Sequence, residues 1–363
     1  MTVNPSRKHL VLLGAGRAHL QVLKSLARQG AGGMAVTLVA AHPYYIEPAM
    51  LPGYAAGDYA LEDIRLPIDR LVEASGVNFV PAHVLSLDPA GRRAQLSSGD
   101  ALPYDVLSVD AELAVDRDQI EALIPGARHH ALFIHPLENF VQLWPQLLAL
   151  ARERALQVAV IGGSLASAEL ALAAAHALAA PHGSRVTLLA GDQPPLAGEP
   201  PALQRRVLAR LKALNVSVLQ DRCTGIDGQA LQLAGGASLA CDAPILTLGA
   251  GTPSWLRQCG LQVDEAGEPV INARLQSESH RQVFVAPPDA GDEAGAALQA
   301  NLRTAIGGGA FRKAPTGQAS LKVVSGGNGH AIAVWGPLGL EGREVWNWKD
   351  RRDRKRLAAL LAP

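Results

Sequence analysis

The apolar positions of this chain fall into short continuous runs, and two of those runs end in glycine and open a longer alanine- and leucine-rich stretch. The first runs over 10–14, turns at Gly14-Ala15-Gly16, and continues as a helical pattern over 17–29. The second runs over 158–161, turns at Gly162-Gly163-Ser164, and continues as helix toward Leu178. A short apolar run bounded by glycine reads as a strand buried on both faces, as in a parallel sheet. A buried strand that feeds a glycine turn and then a helix places backbone N–H groups and the positive helix end against a pyrophosphate.

Between and after these units the pattern keeps an α/β order. Residues 36–39 predict a second strand, and 61–75 a helix. Short strands follow at 78–80, 83–87, 93–96 and 106–109, the later ones as an antiparallel insertion. The segment 42–53 holds three prolines and two tyrosines and is too long for a plain connector. A break over 110–118 leads to a helix at 137–154 and the second glycine unit. Strands are predicted at 186–189, 216–219, 230–233 and 244–248, with a helix at 200–214. A strand at 283–286, a helix at 294–306 ended by three glycines, and a tail of two strands and a charged helix complete the reading. The two units repeat the same order about 148 residues apart, which is a duplicated plan of two copies and not a solenoid.

Length and composition narrow the classes. At 363 residues the chain exceeds one ordinary core. Apolar content of 48 % with 18 % charged residues is globular. Lys+Arg and Asp+Glu balance at 33 each, so nothing global points to nucleic acid. No apolar run nears the roughly 20 residues of a membrane span, and the first run enters its glycine turn too soon for a signal peptide, so a cytoplasmic protein is expected. Cys223, Cys241 and Cys259 form no C-x-x-C pair and read as buried or incidental thiols. His129, His130 and His135 have no carboxylate or cysteine at ligand spacing, so no metal is expected.

Taken together, 10–18, 50–53, 104–108, 158–169, 279–286 and 334–353 resemble the pyridine-nucleotide–disulfide oxidoreductase superfamily. The branch most resembled holds type II NADH dehydrogenases and sulfide:quinone oxidoreductases, and in particular the flavoprotein module fused ahead of selenide, water dikinase in some bacteria. The resemblance implies two Rossmann-like dinucleotide-binding domains in a glutathione-reductase-like arrangement. The first, 1–115, would bind FAD and be completed by 246–312. The second, 116–245, would bind NAD(P)H, and 313–363 would form a C-terminal segment. It implies hydride transfer from NAD(P)H through flavin to a quinone or other small acceptor, here without redox cysteines.

The residues carried over are Gly14, Ala15, Gly16, Arg17 and His19 at the FAD pyrophosphate, Ala40 at the end of the second strand, and Val84 near the adenine. Gly162, Gly163 and Ser164 belong to the second site, and Gly249 and Asp289 to the returning FAD segment. Glu169 would face the contact of nicotinamide and flavin, and Glu47 would be an acid in the loop over the flavin.

Several positions depart from the family's pattern. His19 and Ser167 replace the third glycine, and Ser164 replaces the middle glycine of the second unit. Ala40-Ala41 and Ala190-Gly191 stand where an acid should bind ribose hydroxyls. Asp110-Ala111-Glu112 replaces a glycine turn, and Pro287-Pro288-Asp289 replaces a Gly-Asp. These departures leave open a second expectation, a cofactor-free relative that acts as a binding or scaffold protein. A third is that only the first site survives. Trp346 and Trp348 beside a run of Lys and Arg match an interfacial anchor, or a helix packed on its own domain with a solvated charged face. A homodimer is also open.

Overall fold

The computed structural model of the protein describes residues 7–110, 114–248, 250–287, 292–315 and 321–361. Two five-stranded parallel sheets organise the chain. The first has the order Val283–Val285, Val106–Val109, His9–Leu13, Ala35–Ala40, Asn78–Pro81. The second has the order Leu132–Phe133, Ala243–Leu246, Gln157–Ile161, Arg185–Leu189, Ser217–Leu219. In each sheet the glycine-ended strand sits at the centre, and the chain runs outward from it in both directions. Ligands of open α/β sheets bind at this reversal of strand order, beyond the carboxyl ends of the strands. Each unit also carries a three-stranded antiparallel meander between the third and fourth strands counted from its glycine-ended strand. One comprises Val84–Asp88, Arg93–Leu96 and Ala101–Pro103, the other Cys223–Ile226, Ala230–Leu233 and Ser238–Ala240.

The helices that follow the glycine turns are α1 (Arg17–Gln29) and α2 (Leu165–Ala177). Helix α1 packs through an apolar stripe of Leu20, Leu23 and Leu26, whereas α2 is enclosed nearly all round, with Leu170, Ala171, Leu172, Ala173 and Ala174 buried in succession. Helix α3 (Asp292–Gly307) lies against α1. A three-stranded antiparallel sheet, Leu321–Ser325, Ala331–Trp335 and Leu338–Gly342, packs on α2 and the Pro201–Ala213 helix. The closing helix α4 (Arg343–Leu361) crosses back to α1.

Three elements differ from the sequence expectation. The helix expected over 61–75 is two helices, Leu61–Ile64 and Asp69–Ser75, separated by the strand Arg65–Pro67. Pro67 disfavours helix in the residue before it, and Arg65–Pro67 instead pairs with Tyr44–Ile46. The segment 42–53 therefore holds a strand, a 3-10 turn (Pro48–Met50) and the start of the helix Leu51–Ala56. The tail has three strands and not two, because Gly336-Pro337 is a hairpin turn within one apolar stretch.

Candidate functional site

The first glycine turn is held by contacts that the sequence alone did not reveal. Gly14 N–H donates to Val39 O at 2.8 Å, which ties the turn to the end of the second strand. His19, fully buried, replaces the third glycine and points inward. Its Nδ1 lies 2.7 Å from Gly14 O, and its Nε2 lies 2.8 Å from Ser108 Oγ. A carbonyl only accepts, so Nδ1 carries the proton. Burial lowers the imidazole pKa, so the ring is neutral and Nε2 accepts from the Ser108 hydroxyl. His19 is thus a structural bolt between the turn and the neighbouring strand.

Asp110 follows that strand and reaches the start of α1. Its Oδ2 accepts from His19 N–H at 2.8 Å. A Cβ on Gly16 would lie 2.4 Å from the Asp110 carboxylate, so only glycine fits there. One N–H of the helix end is therefore already met by a carboxylate of the protein.

The second unit repeats the device with hydroxyls. Ser164 Oγ caps α2 by accepting from Ser167 N–H at 3.2 Å. Ser167 Oγ lies 2.8 Å from both Ser164 Oγ and Thr247 Oγ1. Thr247 occupies the same topological place as Asp110, immediately beyond the strand beside the central one. Gly163 is needed because a Cβ there would meet Ala190 O at 2.5 Å. Ser108 and Thr247 were not singled out from sequence, and Asp110 was read there only as part of a turn that departs from the family's glycines. The available signal was a polar residue within or directly after an otherwise apolar strand.

Beyond the first turn lies a cavity of about 580 Å³. Gly14, Ala15, Ala40 and Val84 all line it, with Glu138 and Trp255. A smaller cavity of about 260 Å³ lies beyond the second turn, lined by Gly162, Ala190, Gly191, Asp221 and Arg222. Four residues expected at the first site thus share one concavity. Gly249 and Asp289 lie outside the described residues, as does Glu112.

The two acids fall in separate places. Glu47 is buried and forms an ion pair with Arg17, the first residue of α1, at 3.0 Å. Burial raises its pKa, opposed by Arg17 and by the Ala49 N–H. Glu169 accepts from Ser325 N–H at 2.6 Å, so it is turned toward the C-terminal sheet. Glu169 is half-buried, and desolvation lifts its carboxyl to about 7, against the pull of that N–H and of Lys349.

Helix α4 closes over this region. Trp346 is buried and stacks on Tyr59 with centroids 5.5 Å apart. Lys349 and Asp353 form a buried pair at 2.8 Å, and Lys349 also donates to Ala49 O at 3.0 Å. Arg352 adds a 3.0 Å contact to Asp353 and lies over the exposed Trp348 ring. Of the two tryptophans, Trp346 packs on its own protein and Trp348 faces outward.

A doubled α/β unit with a cavity at each glycine turn defines a two-dinucleotide-fold protein. The chain belongs to the pyridine nucleotide-disulphide oxidoreductase family, whose model matches residues 8–305. That membership implies binding of FAD and NAD(P)H. Among curated relatives, the type II NADH:quinone oxidoreductase of Staphylococcus saprophyticus is 34 % identical over 104 residues, which is 28 % of this chain and 26 % of the relative. That of Staphylococcus epidermidis is 33 % identical over 129 residues, 35 % of this chain and 31 % of the relative. The matched stretches thus span about a third or less of those relatives. Among solved structures, the sulfide:quinone oxidoreductase of Aquifex aeolicus superposes with a TM-score of 0.76 at 16 % identity, over 97 % of this chain and 91 % of that one. The NDH2 of Plasmodium falciparum gives 0.75 at 11 % identity over 97 % of each chain. Both likenesses are of fold.

The residues present fit the adenosine end of FAD: Gly14, Ala15, Ala40 and Val84 give the cavity a small, apolar stretch of wall, and Glu138 and His42 add polar groups. At the pyrophosphate the fit is tighter, because the Asp110 carboxylate shares the helix end.

Proposed function

We propose that the protein is an FAD-dependent oxidoreductase that uses NAD(P)H and delivers electrons to a quinone or another small acceptor. When bound, FAD would take a hydride from NAD(P)H and pass its two electrons to the acceptor. The observation that carries this reading is the cavity beyond the first glycine turn, which gathers Gly14, Ala15, Ala40 and Val84 at the switch point of the sheet.

The roles of the chain's own residues follow from their contacts. Gly14 and Ala15 let backbone approach a phosphate, and Ala40 and Val84 flank a flat ring. Arg17 is fixed by Glu47 and supplies positive charge beside the start of α1. Glu169, poised near neutrality, can hold or release a proton where the NAD(P)H unit meets the C-terminal sheet. The thiols support transfer without a dithiol. Burial pushes all three upward, Cys241 to about 11, so none is a ready thiolate.

A peripheral membrane contact would suit a quinone-type acceptor. No helix among the described residues is long and apolar enough to cross a membrane. The C-terminal hairpin nevertheless exposes Trp335, Leu338 and Leu340 at 62 %, 68 % and 72 %, and Trp348 lies outward beside Arg352.

The test is an absorbance scan of the purified protein before and after excess FAD and desalting, followed by anaerobic NADH and a soluble quinone. Retained flavin bands that NADH bleaches and quinone restores are the expected result. A colourless protein that retains no FAD would overturn the reading and favour the cofactor-free alternative, for which the Asp110 and Ser164 caps are the specific support.

A further inference from the structure

One wall of the first cavity does not come from the first unit. Helix Leu137–Glu153 belongs to the crossing toward the second sheet, and its second residue, Glu138, lines the cavity together with Ala40, Ala41 and His42. Glu138 is only 5 % exposed. Among the described residues no hydrogen bond or ion pair reaches its carboxyl. A carboxylate that lines a cavity without a donor from the protein is available to accept hydrogen bonds from a ligand there.

Across that cavity the second strand ends in Ala40-Ala41. In a dinucleotide unit an acid near this point accepts from the ribose hydroxyls. A diol needs two acceptor positions on one rigid group, which a carboxylate provides. We propose that Glu138 is the ribose-binding acid of the first site and takes over the role vacated at Ala40 and Ala41. The ligand class is an adenosine nucleotide with a free ribose diol. The inference rests on the dinucleotide reading above and adds the residue that selects the sugar. It also gives the absence of an acid at Ala40 a structural reason, since a carboxylate there would confront that of Glu138 within one cavity.

The sign of the expected effect separates this role from simple electrostatics. Removing a negative charge from a cavity that takes a diphosphate should tighten binding by Coulomb attraction. Glu138→Gln is expected instead to weaken ADP and FAD binding about 10-fold or more, because charge-assisted hydrogen bonds to the diol are lost. Glu153→Gln, the same charge change at an exposed site on the same helix, should leave affinity unchanged.

The decisive experiment is calorimetric titration of wild type, Glu138→Gln and Glu153→Gln with ADP and with 2′,3′-dideoxy-ADP. Wild type should prefer ADP, and Glu138→Gln should lose that preference while retaining the wild-type melting temperature. Equal preference for ADP in wild type and Glu138→Gln would overturn the assignment and leave the dinucleotide reading standing. If wild type binds neither nucleotide, the dinucleotide reading fails and the assignment falls with it. A Glu138→Gln protein that no longer folds is replaced in the titration by Glu138→Asp, which keeps the charge and shortens the reach. Reduced discrimination in that variant supports the role, and full discrimination overturns it.

Discussion

Asp110 brings a negative charge to the place where a pyrophosphate would bring two more. Its carboxylate also caps α1, so two roles share one side chain and substitutions can separate them. Asp110→Asn keeps an acceptor for the His19 N–H and removes the charge. FAD affinity is expected to rise about 5-fold, read by quenching of flavin fluorescence on titration. Asp110→Ala removes the cap as well and should cost about 1 kcal/mol in urea denaturation. Weaker FAD binding by Asp110→Asn would show that the carboxylate helps to seat the cofactor.

Glu169 makes a pH-dependent prediction. Its folded pKa, about 7, lies above the ordinary 4.5, so the folded state binds the proton more tightly than the unfolded state. Stability is therefore favoured below about 4.5, falls as pH rises toward about 7, and levels off above it. Glu169→Gln keeps an acceptor for Ser325 N–H and should be more stable than wild type at pH 8, by about 2 kcal/mol. The difference should vanish near pH 4. A gap that is constant across pH would remove the titration account.

At the scale of elements, the two tryptophans of α4 hold it unequally. Trp346 stacks on Tyr59 and lies under Lys349, whereas Trp348 is covered on one side only, by Arg352. Trp346→Ala should cost about 3 kcal/mol in chemical denaturation, and Trp348→Ala less than about 0.5 kcal/mol. Equal costs would mean that Trp348 is held as firmly as Trp346. In sequence the two tryptophans were equivalent, two positions apart in one charged segment. Only the position of Tyr59, brought in by a distant element, distinguishes them.

The same limit runs through the rest of the comparison. The strands 9–13 and 157–161 were legible because a parallel strand buried on both faces leaves a continuous apolar run. The duplicated order was legible because the period survives single substitutions. The bolts at His19 and Ser167 looked like damage, since the sequence does not show that Ser108 and Thr247 stand beside them in register. The break at Pro67 was legible in principle. A pattern of apolar spacing outweighed one residue that restricts its predecessor.

At the scale of the molecule, the C-terminal hairpin carries an exposed apolar row that the core does not explain. Trp335 pairs in register with Leu321 and Leu338, so these side chains share one face of the sheet, and Leu340 lies two residues along. The opposite face buries Val324, Ile332 and Val334. If the outward face meets a bilayer, wild type should sediment with anionic vesicles, and the double variant Trp335→Ser, Leu338→Ser should remain in the supernatant with its fold intact by circular dichroism. Sedimentation unaffected by these changes would place the contact elsewhere.

The self-made caps have a consequence for the life history of the protein. In a chain whose glycine turns are completed only by their ligand, loss of the ligand exposes a frayed helix end, and quality control can recognise it. Here Asp110 and Ser164 each meet one N–H of a helix end from within. The chain is therefore expected to fold before its cofactor binds, which would show as cooperative unfolding of the cofactor-free protein. Under vitamin scarcity such a protein should persist as a durable reserve, ready for loading when supply returns.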